Sequence, residues 1–284
     1  MLSSSMRRVG APLYMRHLAA SFSVATGSGR KVALSPSEFR SFKVSEVETL
    51  THNTKRLRLG LPSKDHETGL DVASFLLAQA NINGENLMRP YTPTNLSEEK
   101  GYLELVVKGY PTGKVSKHIV ELNVGDSLQI KGPMPKFKYE ANMYKKVGLV
   151  AGGSGLTPCL QVAKKICRDN SDKTEVVMIF ANQTEEDIIL RDEIDAMQRK
   201  YPQFKVHYVL SQPGPSWKGF TGHVTKDMLH KLLPRPSDDH LIGVCGPPGM
   251  MEAVSGGKAP DYTQGELKGI LKALGFTSKQ VFKF

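Results

Sequence analysis

Four short runs in this chain carry residues able to do chemistry. Arg89-Pro90-Tyr91-Thr92 sets an arginine, which can clamp a pyrophosphate bidentately, two positions from a tyrosine that can pack on a planar ring. On an extended strand Arg89 and Tyr91 share a face; Thr92 points away unless Pro93 ends the strand there and frees its N–H or hydroxyl for a ligand. Gly113-Lys114-Val115-Ser116 sets a glycine turn before a short helical stretch, whose unpaired N–H groups suit a phosphate. Gly152-Gly153-Ser154-Gly155-Leu156-Thr157-Pro158 follows an apolar run from Val147 to Ala151, and Leu160, Ala163 and Cys167 continue at helical spacing. That is a buried strand, a tight turn and a helix N-terminus, open to a phosphate or a ring. Cys245-Gly246-Pro247-Pro248 closes another apolar run. Each run also has a plainer reading: prolines closing an edge strand, a Ser-capped helix, glycines that only allow packing, a buried strand-end cysteine.

Other chemistries find little support. Cys159, Cys167 and Cys245 form no C-x-x-C pair and are too few for a disulfide framework, and the scattered histidines include no H-E-x-x-H, so no metal is assigned. Five of the 38 basic residues fall within residues 1–37, which contain no acid, so half of the formal +10 charge sits in that segment. The rest of the chain is only mildly basic, and nucleic acid is not an expected partner. The segment is rich in Arg, Ser and Ala, and Leu2, Met6, Val9 and Leu13 could line a helical face, the pattern of a mitochondrial transit peptide. A disordered basic tail and a weak inner-membrane anchor are the alternatives; residues 18–25 are too short and too polar to span a bilayer.

The elements that must position the four runs follow from periodicity. Residues 39–50, 54–61, 72–81, 87–92, 102–110 and 127–131 alternate as strands between turn signals such as Asn83-Gly84, with a short helix at 116–122. Six short strands with little helix imply an antiparallel barrel over residues 36–142, after a tail at 1–35. From 143 to 284 the pattern changes to strands at 147–151, 176–181, 204–210, 241–245 and 281–282, alternating with helices after the glycine turn and at 188–199, 225–233 and 264–274. That alternation implies a Rossmann-like parallel α/β domain, with ligands at the carboxyl ends of its strands, where Gly152, Thr157, Gln183, Ser211 and Cys245 lie.

The order and spacing of the runs, with Lys131-Gly132-Pro133, Ala181-Asn182-Gln183-Thr184, Asp187 to Arg191 and a terminal Phe284, resemble the NADH–cytochrome b5 reductases of the ferredoxin-reductase superfamily across residues 36–284. The segments Cys245 to Glu252 and Ser255 to Asp261 resemble the mitochondrial branch. The resemblance implies an FAD-dependent oxidoreductase that takes hydride from NADH and passes single electrons to cytochrome b5 or a similar acidic haem protein. It also implies roles for residues. Arg89 would bind the flavin pyrophosphate, with Pro90 also at the cofactor, Tyr91 beside the isoalloxazine, and Thr92 near the ring nitrogen that receives hydride. Val106 and Lys108 would touch the flavin and its ribityl chain, and Gly113, Lys114, Val115 and Ser116 would close on the phosphates. Gly152, Gly153, Gly155 and Thr157 would pass between nicotinamide and flavin, with Gln183 at the same cleft. Cys245, Gly246, Pro247 and Pro248 would hold the nicotinamide, and Phe284 would either shield the flavin or pack in the core. Thr157, Cys245 and Thr92 are the residues expected nearest the hydride. Many members have Gly-Gln-His where this chain has Ala73-Ser74-Phe75. Ser211 stands where animal members often carry an acid that repels a 2′-phosphate, yet no arginine pair replaces it, so NADH is favoured. Lys114, Lys136, Lys138, Lys145 and Lys146 could steer an acidic partner or form an ordinary solvated face. A monomer with at most loose membrane association is expected. The competing readings are an NADPH-dependent reductase of ferredoxin or another acceptor, and a non-catalytic organellar nucleotide-binding protein.

Overall fold

The structure is a computed structural model and describes residues 29–284. The expected targeting segment lies outside the described residues up to residue 28, but its end does not: the chain from Arg30 to Ser35 is packed on the first domain. Arg30 pairs with Glu67, Val32 bridges Glu67, and Ala33, Leu34 and Ser35 are buried. A tail ending at 35 is therefore too long by about this strap, because Ala33 and Leu34 belong to the barrel's apolar core.

Six strands build the first domain: β1 (Arg40–Thr51), β2 (Thr54–Gly60), β3 (Phe75–Ile82), β4 (Glu85–Tyr91), β5 (Tyr102–Lys108) and β6 (Ser127–Met134), in the order β4-β3-β6-β1-β2-β5. All their pairings are antiparallel. Alternate residues turn inward, among them Leu57, Leu59, Leu76, Ala78, Leu103, Leu105, Leu128 and Ile130. Asn83 and Gly84, both at positive φ, form the two-residue hairpin turn between β3 and β4. Helix α1 (Lys114–Glu121) buries Val115 and Ile119 in this core and packs against β3, β4 and β5, spanning the two edges that the strand order leaves.

The second domain is a parallel sheet of β7 (Lys146–Gly152), β8 (Glu175–Asn182), β9 (Phe204–Leu210), β10 (Phe220–Thr221), β11 (His240–Cys245) and β12 (Val281–Lys283), in the order β10-β9-β8-β7-β11-β12. Helices α2 (Leu156–Arg168) and α3 (Arg191–Lys200) contribute to the core on one face; α4 (Lys226–Leu232), α5 (Pro248–Val254) and α6 (Gly269–Ala273) contribute to the other. With both faces covered, β7 reads as a continuous buried run rather than an alternating one. The order reverses at β7, whose neighbours are β8 and β11, so the switch point falls where the glycine turn meets Cys245.

Several boundaries differ from the periodic reading. The expected helix at 264–274 contracts to α6, because Gly265 and Gly269 both sit at φ +63° and a side chain on Gly269 would strike the Ala253 carbonyl. Gln264 instead uses its amide to receive the Lys283 N–H at 2.7 Å and to donate to the Lys283 carbonyl at 3.0 Å. The helix expected from 188 begins at Arg191, after a turn that leaves Leu190 at φ +57°. The strand expected from 72 begins at Phe75, because Ala73 sits at φ +61°. Helix α5 and the short β10 were not anticipated; Pro248 at the first position of α5 needs no N–H partner there.

Candidate functional site

The glycine turn is built from two kinds of glycine. A Cβ on Gly155 would strike the Cys245 carbonyl, and one on Gly152 would come within 2.7 Å of Met250 Sδ and 2.9 Å of Pro247 Cδ. These two permit the C-G-P-P strand end to lie against the turn. Gly153, at φ +50°, faces open space instead. It lies in the 3-10 turn Gly153–Gly155, directly ahead of α2. The first turn of α2 carries no acid and no side-chain cap; Thr157, largely buried, reaches back to the Ser154 carbonyl at 3.5 Å. The turn therefore presents backbone N–H groups and partial positive charge.

Cys245 stands beside it. Burial pushes its thiol up to about 11, against the pull of Lys258, so it stays protonated at neutral pH and is no thiolate nucleophile. Gly246 gives room to the Met250 methyl, and Pro247 and Pro248 are exposed as α5 begins. Phe284 donates its N–H to the Val244 carbonyl at 3.0 Å. Its ring lies 2.6 Å from where a Gly243 Cβ would stand and meets Phe282 edge-on at 5.1 Å. Phe284 is thus packed on β11 one strand repeat below Cys245, partly exposed.

On the barrel side Arg89 and Pro90 are exposed at the end of β4. No acid pairs with Arg89 among the described residues; its guanidinium donates to the Met88 carbonyl at 2.7 Å. Tyr91 is partly buried, and burial pushes its phenol up to about 12; Thr92 is half-buried just beyond the strand. Val106 faces out of the barrel into the apolar cluster of the second domain, as does Ala73. Lys108, on the same face, donates to Asp187 at 3.1 Å. Asp187 also serves as the capping box partner of Thr184. Burial raises the Asp187 carboxyl, but Lys108 and Thr184 outweigh it and hold it below its ordinary range.

At α1, Gly113 is the N-cap, with no side-chain cap and no acid in the first turn. The Ser116 hydroxyl donates to the Gly113 carbonyl at 3.0 Å and receives the Tyr110 N–H at 3.3 Å, and the Val115 side chain is in the core. Only the backbone N–H groups of this turn and the exposed Lys114 are left to face a ligand.

The runs converge on one cleft. Gln161, buried on the second turn of α2, receives the Ala73 N–H at 2.7 Å and donates to the Pro93 carbonyl at 3.1 Å. Lys164 donates to the Thr94 carbonyl at 3.0 Å, and the Tyr110 and Ser154 hydroxyls meet at 2.9 Å. The Arg-Pro-Tyr-Thr strand end, the α1 turn, the glycine turn and the Cys245 end are thereby tied together. Gln183 is exposed at the rim, its carbonyl receiving the Gln212 N–H at 2.8 Å.

Sequence reasoning missed Gln161 and gave Asn182, quoted only within a longer run, no role. Gln161 could have been found as a polar residue one helical turn from Thr157, on the face that carries Leu160. Asn182 ends β8 beside the glycine turn, and its whole side-chain amide is buried without a partner among the described residues. The Ser74 hydroxyl is orphaned in the same way. Buried orphan polar groups at a cleft lined by two uncapped, acid-free helix starts and an unpaired arginine fit a phosphate-bearing ligand with ring systems. FAD and a pyridine dinucleotide both have that chemistry.

Comparison with known proteins bears on the same halves. The Oxidoreductase FAD-binding domain family matches residues 41–139, and the Oxidoreductase NAD-binding domain family matches residues 149–256. An NADH-cytochrome b5 reductase-like protein of Arabidopsis thaliana is 48% identical over 264 residues, covering 90% of this chain and 80% of its own. NADH-cytochrome b5 reductase 2 of Emericella nidulans is 47% identical, covering 86% and 77%. Among solved structures, the cytochrome b5 reductase domain of Ulva prolifera nitrate reductase superposes with a TM-score of 0.79 at 31% identity, covering 89% of this chain and all of that one. The CS-b5R domains of human Ncb5or, in the NAD+ form, give 0.72 at 26% identity, covering 87% and 69%.

Proposed function

The chain belongs to the NADH–cytochrome b5 reductase family, and from that premise we propose that it takes hydride from NADH and passes electrons singly to cytochrome b5. The observation that carries the reading is the convergence just described: Gly155 against Cys245, and Gln161 bonded to Pro93, hold the barrel edge and the glycine turn around one cleft. Bound FAD supplies the conversion from two-electron to one-electron chemistry. The protein's own residues bind, orient and exclude water.

We assign Arg89 and the first-turn N–H groups of α1 to the FAD phosphates, with Tyr91 against its ring system and Lys108, braced by Asp187, at its polar chain. Thr92, Thr157 and Cys245 border the space where the two rings would meet. Gly153 leaves that space open, and Asn182, at the end of β8 beside the glycine turn, holds a buried amide without a partner among the described residues. No side chain has to act as nucleophile or base, which agrees with a Cys245 thiol held neutral. Ser211, its N–H on the Asn182 carbonyl at 3.1 Å, neither repels nor clamps a 2′-phosphate, which supports NADH with looser discrimination than an acid would give.

The test is spectroscopic. Purified protein should be yellow, bleach on anaerobic addition of NADH faster than with NADPH, and then reduce cytochrome b5. A colourless protein that takes up no FAD would overturn the reading.

The acid-free, Arg- and Ser-rich start of the sequence supports a mitochondrial location. Imaging residues 1–29 fused to a fluorescent protein tests it; a diffuse cytosolic signal would count against it. No helix among the described residues is long and apolar enough to cross a membrane. A monomer loosely associated with a membrane surface is the corresponding expectation, checked by sedimentation and by flotation with vesicles.

A further inference from the structure

Residues 255–268 wrap the end of β12 instead of forming a helix. Lys283 donates from Nζ to the Gly257 carbonyl at 2.9 Å and to the Glu266 carbonyl at 2.8 Å, while the Gln264 amide brackets the Lys283 backbone. Lys283 is the register partner of Val244, the residue before Cys245. The wrap thereby holds Lys258, next in sequence to the anchored Gly257, beside the sheet edge at β12, within electrostatic reach of Cys245 on β11 and of Lys136.

Lys258 is half-buried, and no hydrogen bond or ion pair reaches its ammonium from the described residues. The titratable groups that face it are Lys136, Cys245 and Lys283. Burial first, and then Lys136, draws its pKa down to about 8, while Cys245 remains a neutral thiol. An uncompensated ammonium in a partly desolvated site is costly by itself and acts strongly on any charge brought beside it.

Resting on the assignment of this space to nicotinamide, we propose that Lys258 sorts the redox states of the nucleotide by charge, opposing the cationic ring of NAD+ while leaving the neutral ring of NADH unopposed. The two nucleotides share their pyrophosphate and adenosine, so those contacts cancel in the comparison and the ring charge remains. Lys258 is then a specificity residue that favours departure of the oxidised product.

The test is equilibrium titration of the oxidised holoenzyme, followed by flavin absorbance, with NAD+ and with a tetrahydronicotinamide analogue of NADH whose neutral ring cannot give hydride. Near neutral pH the wild type should bind the analogue more tightly than NAD+. Lys258→Met should tighten NAD+ on the order of tenfold, the scale of two nearby like charges in a partly screened site, and move the analogue less than twofold. The wild-type preference should fade as pH rises through about 8, where Lys258 loses its proton, and Lys258→Arg should keep it. Cys245→Leu separates the two claims by placing bulk at the seat. If it weakens both ligands but Lys258→Met leaves their ratio unchanged, the charge sorting is overturned alone. If it weakens neither, the nicotinamide assignment falls and the sorting with it.

Discussion

The two walls of the cleft are made differently. The barrel wall offers an exposed arginine and the free N–H groups of α1, neither of which the fold needs for packing, beside a tyrosine that rests partly on the barrel core. The opposite wall is made of glycine backbone pressed on its neighbours: Gly155 on the Cys245 backbone, Gly152 under the Met250 and Pro247 side chains, Gly243 under the Phe284 ring. On the first wall the arginine and the α1 N–H groups stand over a core that is complete without them. The other is itself core, since Leu149, Ala151, Leu156 and Leu160 run directly beneath it. Binding and stability should therefore separate on the first wall and fuse on the second.

The largest effect should come from the packed wall. Gly155→Ala drives a Cβ into the Cys245 carbonyl, and backbone cannot step aside as a flexible side chain can. A loss of roughly 3 kcal/mol or more in urea unfolding, with flavin loss, is expected. A soluble variant of unchanged midpoint would break the comparison.

Arg89→Ala should do the reverse. FAD affinity should fall on the order of a hundredfold, the worth of a lost charge-assisted pair. The apoprotein's unfolding midpoint should stay within about 0.5 kcal/mol of wild type, as for other exposed sites. Dialysis against FAD with fluorescence readout gives the first quantity, and a melt of apoprotein gives the second.

Gln161→Leu probes the seam between the walls. It strands the Ala73 N–H and the Pro93 carbonyl, costing about 1–3 kcal/mol. Because the seam sets how the walls face each other, single-turnover flavin reduction by NADH should slow while FAD stays bound. Unchanged reduction would mean the seam carries no alignment.

The smallest effect is a pH dependence. Asp187 is held below its unfolded value of 3.8, so its pairing with Lys108 stabilises the fold fully above that value and is lost as pH falls through the lower, folded one. Lys108→Met should flatten that acid limb by about 1 kcal/mol, measured by urea unfolding between about pH 5 and 2.

Much of this was legible in the sequence. The barrel strands alternate because one face is buried, and the Val147 to Ala151 run is unbroken because both are; each leaves a readable period. Strand ends followed by glycine or proline then located the cleft. What stayed hidden depended on contacts between distant residues. Leu267, Ile270, Leu271 and Leu274 mimic a helical face, yet Gly265 and Gly269 take a φ that only the Lys283 clasp and the approach of Ala253 explain. The glycines of the turn look alike in sequence, and only the position of β11 distinguishes Gly155, which packs, from Gly153, which opens. Gln161 and Asn182 were passed over because their hydrogen bonds, made or missing, involve chain far away.

Helix α2 has a mechanical consequence. Four of its residues, Gln161, Lys164, Lys165 and Arg168, grip the barrel's 93–99 loop along one side, while its N-terminus is the glycine turn. A rod clamped along its length acts as an axle. If the domains rock against each other, points on the axle barely move and distant points sweep the widest arc. The glycine turn would keep its spacing to the barrel edge, and the motion would be spent at the far edge of the sheet, around β9 and β10.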